Sequence, residues 1–257
     1  MGIKGLFQFL SRCEQCVFIT NAVQDKLVGV DMFWFVHQSK GDLSVIYQYL
    51  TPIIQHSKEV HCVWDGMPSS DTAAIRKERE VKRQQLIDTI VQLDHALTYQ
   101  MEHLTEENET VIHEYMDQLR KQVWKPSPGY IHTVKKWLQD QGCIQYQEKG
   151  QADELLRDLE REKQIELVIT NDSDLLTLGC KRVLRVYNAV EGGLYDVRYM
   201  YSCFQWTKQQ WNNFMKLCRT MKHPDILMAY SWTSVYRDMN TISRKQIEWE
   251  KERVHSD

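Results

Sequence analysis

Short apolar runs of strand length alternate along the chain with stretches of helical periodicity. Residues 26–31 (Lys-Leu-Val-Gly-Val-Asp), 60–65, 143–147 and 166–170 are such runs, rich in Val, Ile and Leu. Their separation by helical patterns predicts an α/β fold with a mainly parallel central sheet and flanking helices. Residues 183–187 and 194–197 predict a hairpin at the sheet edge, with Gly192 and Gly193 in its connection. Ile46, Tyr47, Leu50 and Ile54 mark a helix over 43–54. Leu86, Ile90, Leu93, Leu97, Met101 and Leu104 step by fours and threes, and Val111, Tyr115, Leu119 and Val123 resume the seam after polar 105–110. A helical hairpin over 75–124 satisfies both halves. Pro126-Ser127-Pro128 ends it, with Ser127 placed to cap the next helix and Pro128 to open it.

The chemistry gathers at the strand ends. Two of the runs end in Asp31 and Asp65, and Asp172 and Asp174 follow a third. In a parallel α/β sheet the carboxyl ends of the strands form the ligand crevice. Carboxylates meeting there repel one another unless something cationic joins them, and Mg²⁺ or Mn²⁺ suits such oxygen donors better than His or Cys would. Terminal aspartates also cap helices and turns, but four at corresponding ends, with Asp153 near a helix start, favour a metal site. Asp172 and Asp174, two apart, share a side if the chain between them is extended.

These residues resemble a family. Met-Gly-Ile-Lys-Gly-Leu at positions 1–6, Val28-Gly-Val-Asp31-Met-Phe-Trp-Phe-Val-His37, Val63-Trp-Asp65-Gly-Met-Pro68, Gln151-Ala-Asp153 and Val168-Ile-Thr-Asn-Asp172-Ser-Asp174 follow, in order, the motifs of the flap endonuclease and exonuclease 1 family of 5′ nucleases. The resemblance runs from Met1 to about Val197 and loosely to Cys218. It implies a 5′-nuclease (PIN-like) fold with a helical arch over about 76–124, and two divalent ions held by Asp31, Asp65, Asp153, Asp172 and Asp174. It further implies phosphodiester hydrolysis of DNA at 5′ ends, flaps or junctions, without a protein nucleophile. Gly2 and Lys4 match a segment beside the active site, Phe33 and His37 match residues that stack near the junction, and Arg79 matches an arch cation that contacts the scissile phosphate.

Three departures qualify the transfer. Gln151 replaces a glutamate, which leaves an amide oxygen without charge. The last acidic ligand has only Asp225 as a candidate, one position too far along and after a proline. The glycine-containing duplex clamp has no counterpart, because residues 194–257 contain no glycine. A host-shutoff-type mRNA endonuclease, or a weakened pseudonuclease acting as a nucleic-acid-binding scaffold, are the alternative readings.

Composition then takes its place. The 257 residues accommodate a nuclease core over 1–200, with the arch, and a helical extension over 201–257 open to a protein partner. The net charge of −3 argues against a nucleic-acid partner only as an average. Arg76, Lys77, Arg79, Lys82 and Arg83 form a basic cluster leading into the arch, with Arg79, Lys82 and Arg83 expected to orient the phosphate and Arg76, Lys77 and Lys181 to hold the strand. A solvated helix face with Glu–Lys pairing is the plainer account of such a run. Seven scattered cysteines read as reduced thiols of an intracellular protein, the lone Cys13-Glu-Gln-Cys16 being too few ligands for zinc. No apolar run reaches membrane-spanning length. A monomer acting on DNA, in the nucleus or wherever DNA is replicated, is the resulting expectation.

Overall fold

The structure, a computed structural model, describes residues 3, 5–66, 73–99, 106–147, 150–220, 226–236, 239, 241–243 and 245–246. Its centre is a sheet of strands β1 (Gln15–Phe18), β2 (Leu27–Asp31), β3 (Glu59–Trp64), β4 (Ile144–Gln147), β5 (Leu167–Ile169), β6 (Arg182–Val186) and β7 (Glu191–Asp196). The strand order is β1-β7-β6-β5-β2-β3-β4. Pairing is parallel from β6 through β5 and β2 to β3 and β4, and antiparallel where β7 joins β6 and β1. Every predicted strand is present to within two residues at each end, except at the hairpin.

Alternation along the strands divides the core into two layers. Val28 and Val30 of β2, Val60, Cys62 and Trp64 of β3, and Leu167 and Ile169 of β5 face one layer. That layer is covered by α2 (Ile19–Val23), α3 (Met32–Ser39), α4 (Leu43–His56) and α7 (Pro128–Asp140). Val63, Val168 and Val183 face the other, which holds α1 (Leu6–Leu10), α8 (Ala152–Arg161) and α9 (Asp174–Leu178). The last helices, α10 (Val197–Phe204), α11 (Lys208–Thr220) and α12 (Ile226–Val235), pack into this second layer through Phe204, Trp206, Trp211, Phe214 and Trp232. Trp206, Trp211 and Trp232 are therefore core, while Trp249 lies outside the described residues.

Gly29 brings α8 onto the sheet. A Cβ there would lie 2.4 Å from Ile165 Cδ1 and 2.8 Å from Leu156 Cδ2, so a bare backbone lets the helix settle directly over β2.

Two expectations need correction. Gly192 and Gly193 are inside β7, where they pair with Val186 and Arg185, rather than in the hairpin connection. The turn is built instead by Asn188, whose Oδ1 accepts from the backbone N–H groups of Val190 and Glu191, each at 2.8 Å. The glycines answer crowding: a Cβ on Gly192 would sit 2.5 Å from the Arg185 carbonyl, and one on Gly193 would overlap Glu14 Oε1. β1 has no counterpart in the sequence reading; four residues beside the cysteine pair carry too little periodicity, and it is the antiparallel partner β7 that makes them a strand.

The helical hairpin consists of α5 (Ala73–Tyr99) and α6 (Glu106–Val123), packed on each other. Leu97 is buried on α5, while Met101 and Leu104 lie outside the described residues. On α6 the expected seam holds only in its second half. Val111 and Tyr115 are exposed, whereas Met116 and Leu119 are buried with Ile112 and Val123 beside them. In the first half of the helix two adjacent apolar pairs compete, and packing takes Ile112 and Met116, one position further on, before the expected stripe resumes at Leu119 and Val123. Ser127 caps α7 as expected, accepting from Tyr130 N–H at 3.1 Å, with Pro128 in the first turn.

Candidate metal centre

Each acidic residue arrives on a different element. Asp31 ends β2 and caps α3, its Oδ1 accepting from Phe33 N–H at 3.1 Å. Capping and a place at the strand end thus coexist in one residue. Asp65 follows β3, and its Oδ1 accepts the backbone N–H of Ala152, the first residue of α8, at 2.8 Å. Asp153 sits in the first turn of α8. Asp172 and Asp174 lie where β5 passes into α9.

The chain between these last two is not extended. Asp172 Oδ1 accepts from Asp174 N–H at 2.9 Å, a tight side-chain turn that starts α9. Short polar side chains compete with extended backbone for its N–H groups, and the helix start wins. The turn still brings the acids together: one carboxylate oxygen from each of Asp153, Asp172 and Asp174 lies within 4.8 Å of the other two.

Thr170 ties the cluster to the sheet. Its hydroxyl donates to Asp31 Oδ2 at 2.8 Å and accepts from Asp172 N–H at 3.0 Å. The residue is fully buried, and no sequence feature beyond its position at the end of β5 singled it out.

The electrostatics follow from this crowding. Burial pushes Asp153 up to about 8, reinforced by the charges of Asp31, Asp172, Asp174 and Asp65. Burial also lifts Asp31 to about 6, against the Thr170 hydrogen bond and with Asp65 and Asp172 adding to the rise. Asp174 is raised as well, by burial and then by Asp172. Asp153 thus feels the charges of the other four aspartates, and the donors are hard carboxylate oxygens. That set fits a divalent cation of the Mg²⁺ or Mn²⁺ kind.

The remaining candidates are distributed around this centre. Gln151 is exposed at the start of α8, and its side chain makes no capping hydrogen bond. Phe33 and His37 stand on successive turns of α3 with rings 5.0 Å apart, both half-buried, and burial holds His37 below its usual range. Lys181 is exposed, while its backbone N–H donates to both oxygens of buried Glu160 at 2.9 Å.

On α5, Lys77 and Arg79 are exposed. Lys82 pairs with Glu78 at 2.6 Å, and Arg83 pairs with Glu80 at 3.1 Å and donates to the Val123 carbonyl at 2.8 Å. Glu80 also holds Lys125. Pairing along the helix face is therefore present in the basic cluster, and Arg83 links the two arms of the hairpin. Gly2, Lys4 and Asp225 lie outside the described residues, as does the side chain of Arg76.

Comparisons with known proteins agree with this geometry. The XPG I-region family matches residues 145–222, which include Gln151, Asp153, Asp172 and Asp174. Exonuclease 1 of Xenopus laevis is 26% identical over 208 residues, covering 76% of this chain and 26% of that protein. The chain thus spans about a quarter of the length of that relative. Among solved structures, the catalytic core of Rad2 in complex with DNA substrate superposes with a TM-score of 0.65 at 11% identity, over 100% of this chain and 76% of that one. Human GEN1 in complex with Holliday junction DNA gives 0.59 at 14% identity, over 99% and 61%. GEN1 with product DNA, Mg²⁺ and Mn²⁺ ions gives 0.58 at 11% identity, over 99% and 55%. The fold is the one these nucleases share, as the motifs implied.

Proposed function

We propose, on the premise of its kinship with the flap endonuclease and exonuclease 1 family, that this chain is a divalent-metal-dependent 5′ nuclease hydrolysing phosphodiester bonds of DNA at 5′ ends, flaps or junctions. The observation that carries the reading is the meeting of Asp153, Asp172 and Asp174 within 4.8 Å, with Asp31 and Asp65 in electrostatic contact. Five carboxylates at the carboxyl end of a parallel sheet are unfavourable alone and favourable around cations.

Asp31, Asp65, Asp153, Asp172 and Asp174 would hold two ions, with the Gln151 amide oxygen at the rim. Bound there, Mg²⁺ or Mn²⁺ supplies a water activated at neutral pH and positive charge beside the scissile phosphate. The protein's part is positioning. Thr170 fixes Asp31 and the Asp172 backbone together, and the Ala152 N–H aims Asp65. Phe33 offers a ring face on which a base can stack. Arg79 is placed to neutralise phosphate charge from the arch; Lys82 and Arg83 join it by exchanging Glu78 and Glu80 for the strand backbone. A DNA partner, and action where DNA is replicated or repaired, follow from the substrate.

The test uses the purified chain on a 5′-flap DNA, a nicked duplex and an unstructured RNA, in Mg²⁺ and in Mn²⁺, beside Asp172→Asn. The flap should be cut, and the variant should lose roughly 100-fold or more in rate, the scale of removing one metal ligand's several kcal/mol. Identical trace activity in both preparations would make the chain a binding scaffold. Strong preference for the RNA would replace the DNA reading with the RNA endonuclease.

A further inference from the structure

The edge strand β4 carries two glutamines, Gln145 and Gln147, two positions apart and therefore on one side of the sheet. In register they stand beside Cys62 and Trp64 of β3. Both reach toward α7. Gln145 Nε2 donates to the Lys135 carbonyl at 2.8 Å, and its Oε1 accepts from Trp64 Nε1 at 3.2 Å. Gln147 Oε1 accepts from Lys135 Nζ at 2.5 Å, and that ammonium lies 4.9 Å from the centre of the Trp64 ring. Lys135 is half-buried in this arrangement, and burial holds it below the usual lysine range.

The other end of this bridge touches the metal centre. Gln147 Nε2 donates to the backbone carbonyl of Asp65 at 2.6 Å. The N–H of the same peptide unit, that of Gly66, donates to the Gly150 carbonyl at 2.9 Å. A peptide unit is planar, so bonds at both of its polar groups fix its orientation, and with it the direction in which the Asp65 side chain leaves the backbone. Position matters for this residue in particular. Asp65 follows β3 rather than belonging to it, and it is not among the three acids whose oxygens gather within 4.8 Å.

We propose that Gln147, held by Lys135, is a positioning residue for Asp65 and thereby sets the affinity of the metal centre for its divalent cations. The inference rests on the metal-dependent reading given above. Gln147 acts through the Asp65 peptide and not as a ligand, much as hydrogen-bonded partners orient the ligands of other metal sites. An amide suits the place because it accepts at one atom and donates at the other. Lys135 decides which way round it sits: the ammonium can only donate, so Oε1 turns to it and Nε2 is left for the Asp65 carbonyl.

Calorimetric titration of the full chain with Mn²⁺ tests the role without any substrate. Gln147→Met keeps the length of the side chain and removes both bonds, and Mn²⁺ affinity should fall by about tenfold, the lower end of the effect of losing an outer-sphere partner. Lys135→Met should weaken Mn²⁺ binding in the parent but not further in Gln147→Met, because the two residues act in series. Flap cleavage by Gln147→Met should slow at limiting Mg²⁺ and recover at saturating Mg²⁺, which damage to the fold would not allow. Unchanged Mn²⁺ affinity in folded Gln147→Met would overturn the proposal and leave the metal centre and the nuclease reading standing; Gln147→Ala answers the same question if the Met variant does not fold. An equal effect of Lys135→Met in both backgrounds would overturn its link to Gln147. A parent chain that binds no Mn²⁺ would overturn the metal-dependent reading, and this one with it.

Discussion

Asp65 Oδ1 accepts a hydrogen bond from the backbone N–H of Ala152 at 2.8 Å, across 87 positions of sequence. An acidic side chain at the end of β3 thereby satisfies one of the unpaired N–H groups at the start of α8, where the helix dipole also favours negative charge. The same bond fixes where Asp153, one residue further on, stands among the other acids. Two motifs far apart in the chain are assembled by a single capping interaction.

Because Asp153 is held at about 8, far above the ordinary aspartate, the metal-free protein should lose stability as pH rises. Between about 4 and 8 the folded state keeps a proton that the unfolded chain has released, so deprotonation favours unfolding throughout that window. The melting temperature in EDTA should fall by roughly 5 °C or more from pH 5 to pH 8, and saturating Mn²⁺ should remove the fall. Asp153→Asn should flatten the metal-free profile. A metal-free protein equally stable at both pH values would show that burial and the neighbouring charges do not hold the proton on Asp153.

Thr170→Val keeps the shape of the side chain and removes both of its hydrogen bonds, to Asp31 and to the Asp172 N–H. Metal affinity should drop by about 10–100-fold, the usual consequence of losing an outer-sphere partner of the ligands. Calorimetric titration with Mn²⁺ reads this directly. Thr170→Ser should restore most of the affinity; if it does not, packing rather than the hydroxyl is responsible.

Gln151→Glu adds a carboxylate at the exposed start of α8. Mg²⁺ should then bind more tightly, by roughly 3–10-fold, since added anionic ligands raise the affinity of such sites. The rate of flap cleavage at limiting Mg²⁺ should rise with it. No change in either quantity would place residue 151 outside the reach of the ions.

Arg79 and Lys82 differ in what already surrounds them. Lys82 is neutralised by Glu78 at 2.6 Å, whereas Arg79 is exposed without an ion pair within 4.0 Å among the described residues. Arg79→Ala should reduce the slope of log affinity against log salt by about 1, with a weaker effect for Lys82→Ala. Anisotropy titrations between about 50 and 200 mM KCl measure both slopes. Equal slopes for the two variants and the parent would remove the arch from the nucleic-acid interface.

The parallel strands and their Asp ends were legible in sequence because a doubly covered sheet demands near-continuous apolar runs, and residues 28–30, 62–64 and 167–169 supply them. Asp31, Asp65, Asp172 and Asp174 were legible for the same reason, standing at or just after strand ends, whereas Asp153 belongs to the first turn of α8. What the pattern left undecided turned on contacts between distant segments. Whether Val111 and Tyr115 or Ile112 and Met116 face α5 depends on how two helices meet, and both stripes are equally apolar. The role of Gly192 and Gly193 depends on the Arg185 carbonyl and the Glu14 carboxylate arriving beside them, which no local rule contains. Thr170 reads as an ordinary strand-end residue until Asp31 from one strand and Asp172 from the following loop close on its hydroxyl. Local sequence thus determined which elements form and which acids they carry. Only the tertiary structure decided how those acids are oriented and what stands behind them, because a hydrogen bond or a steric limit between residues far apart in the chain exists only once the chain has folded.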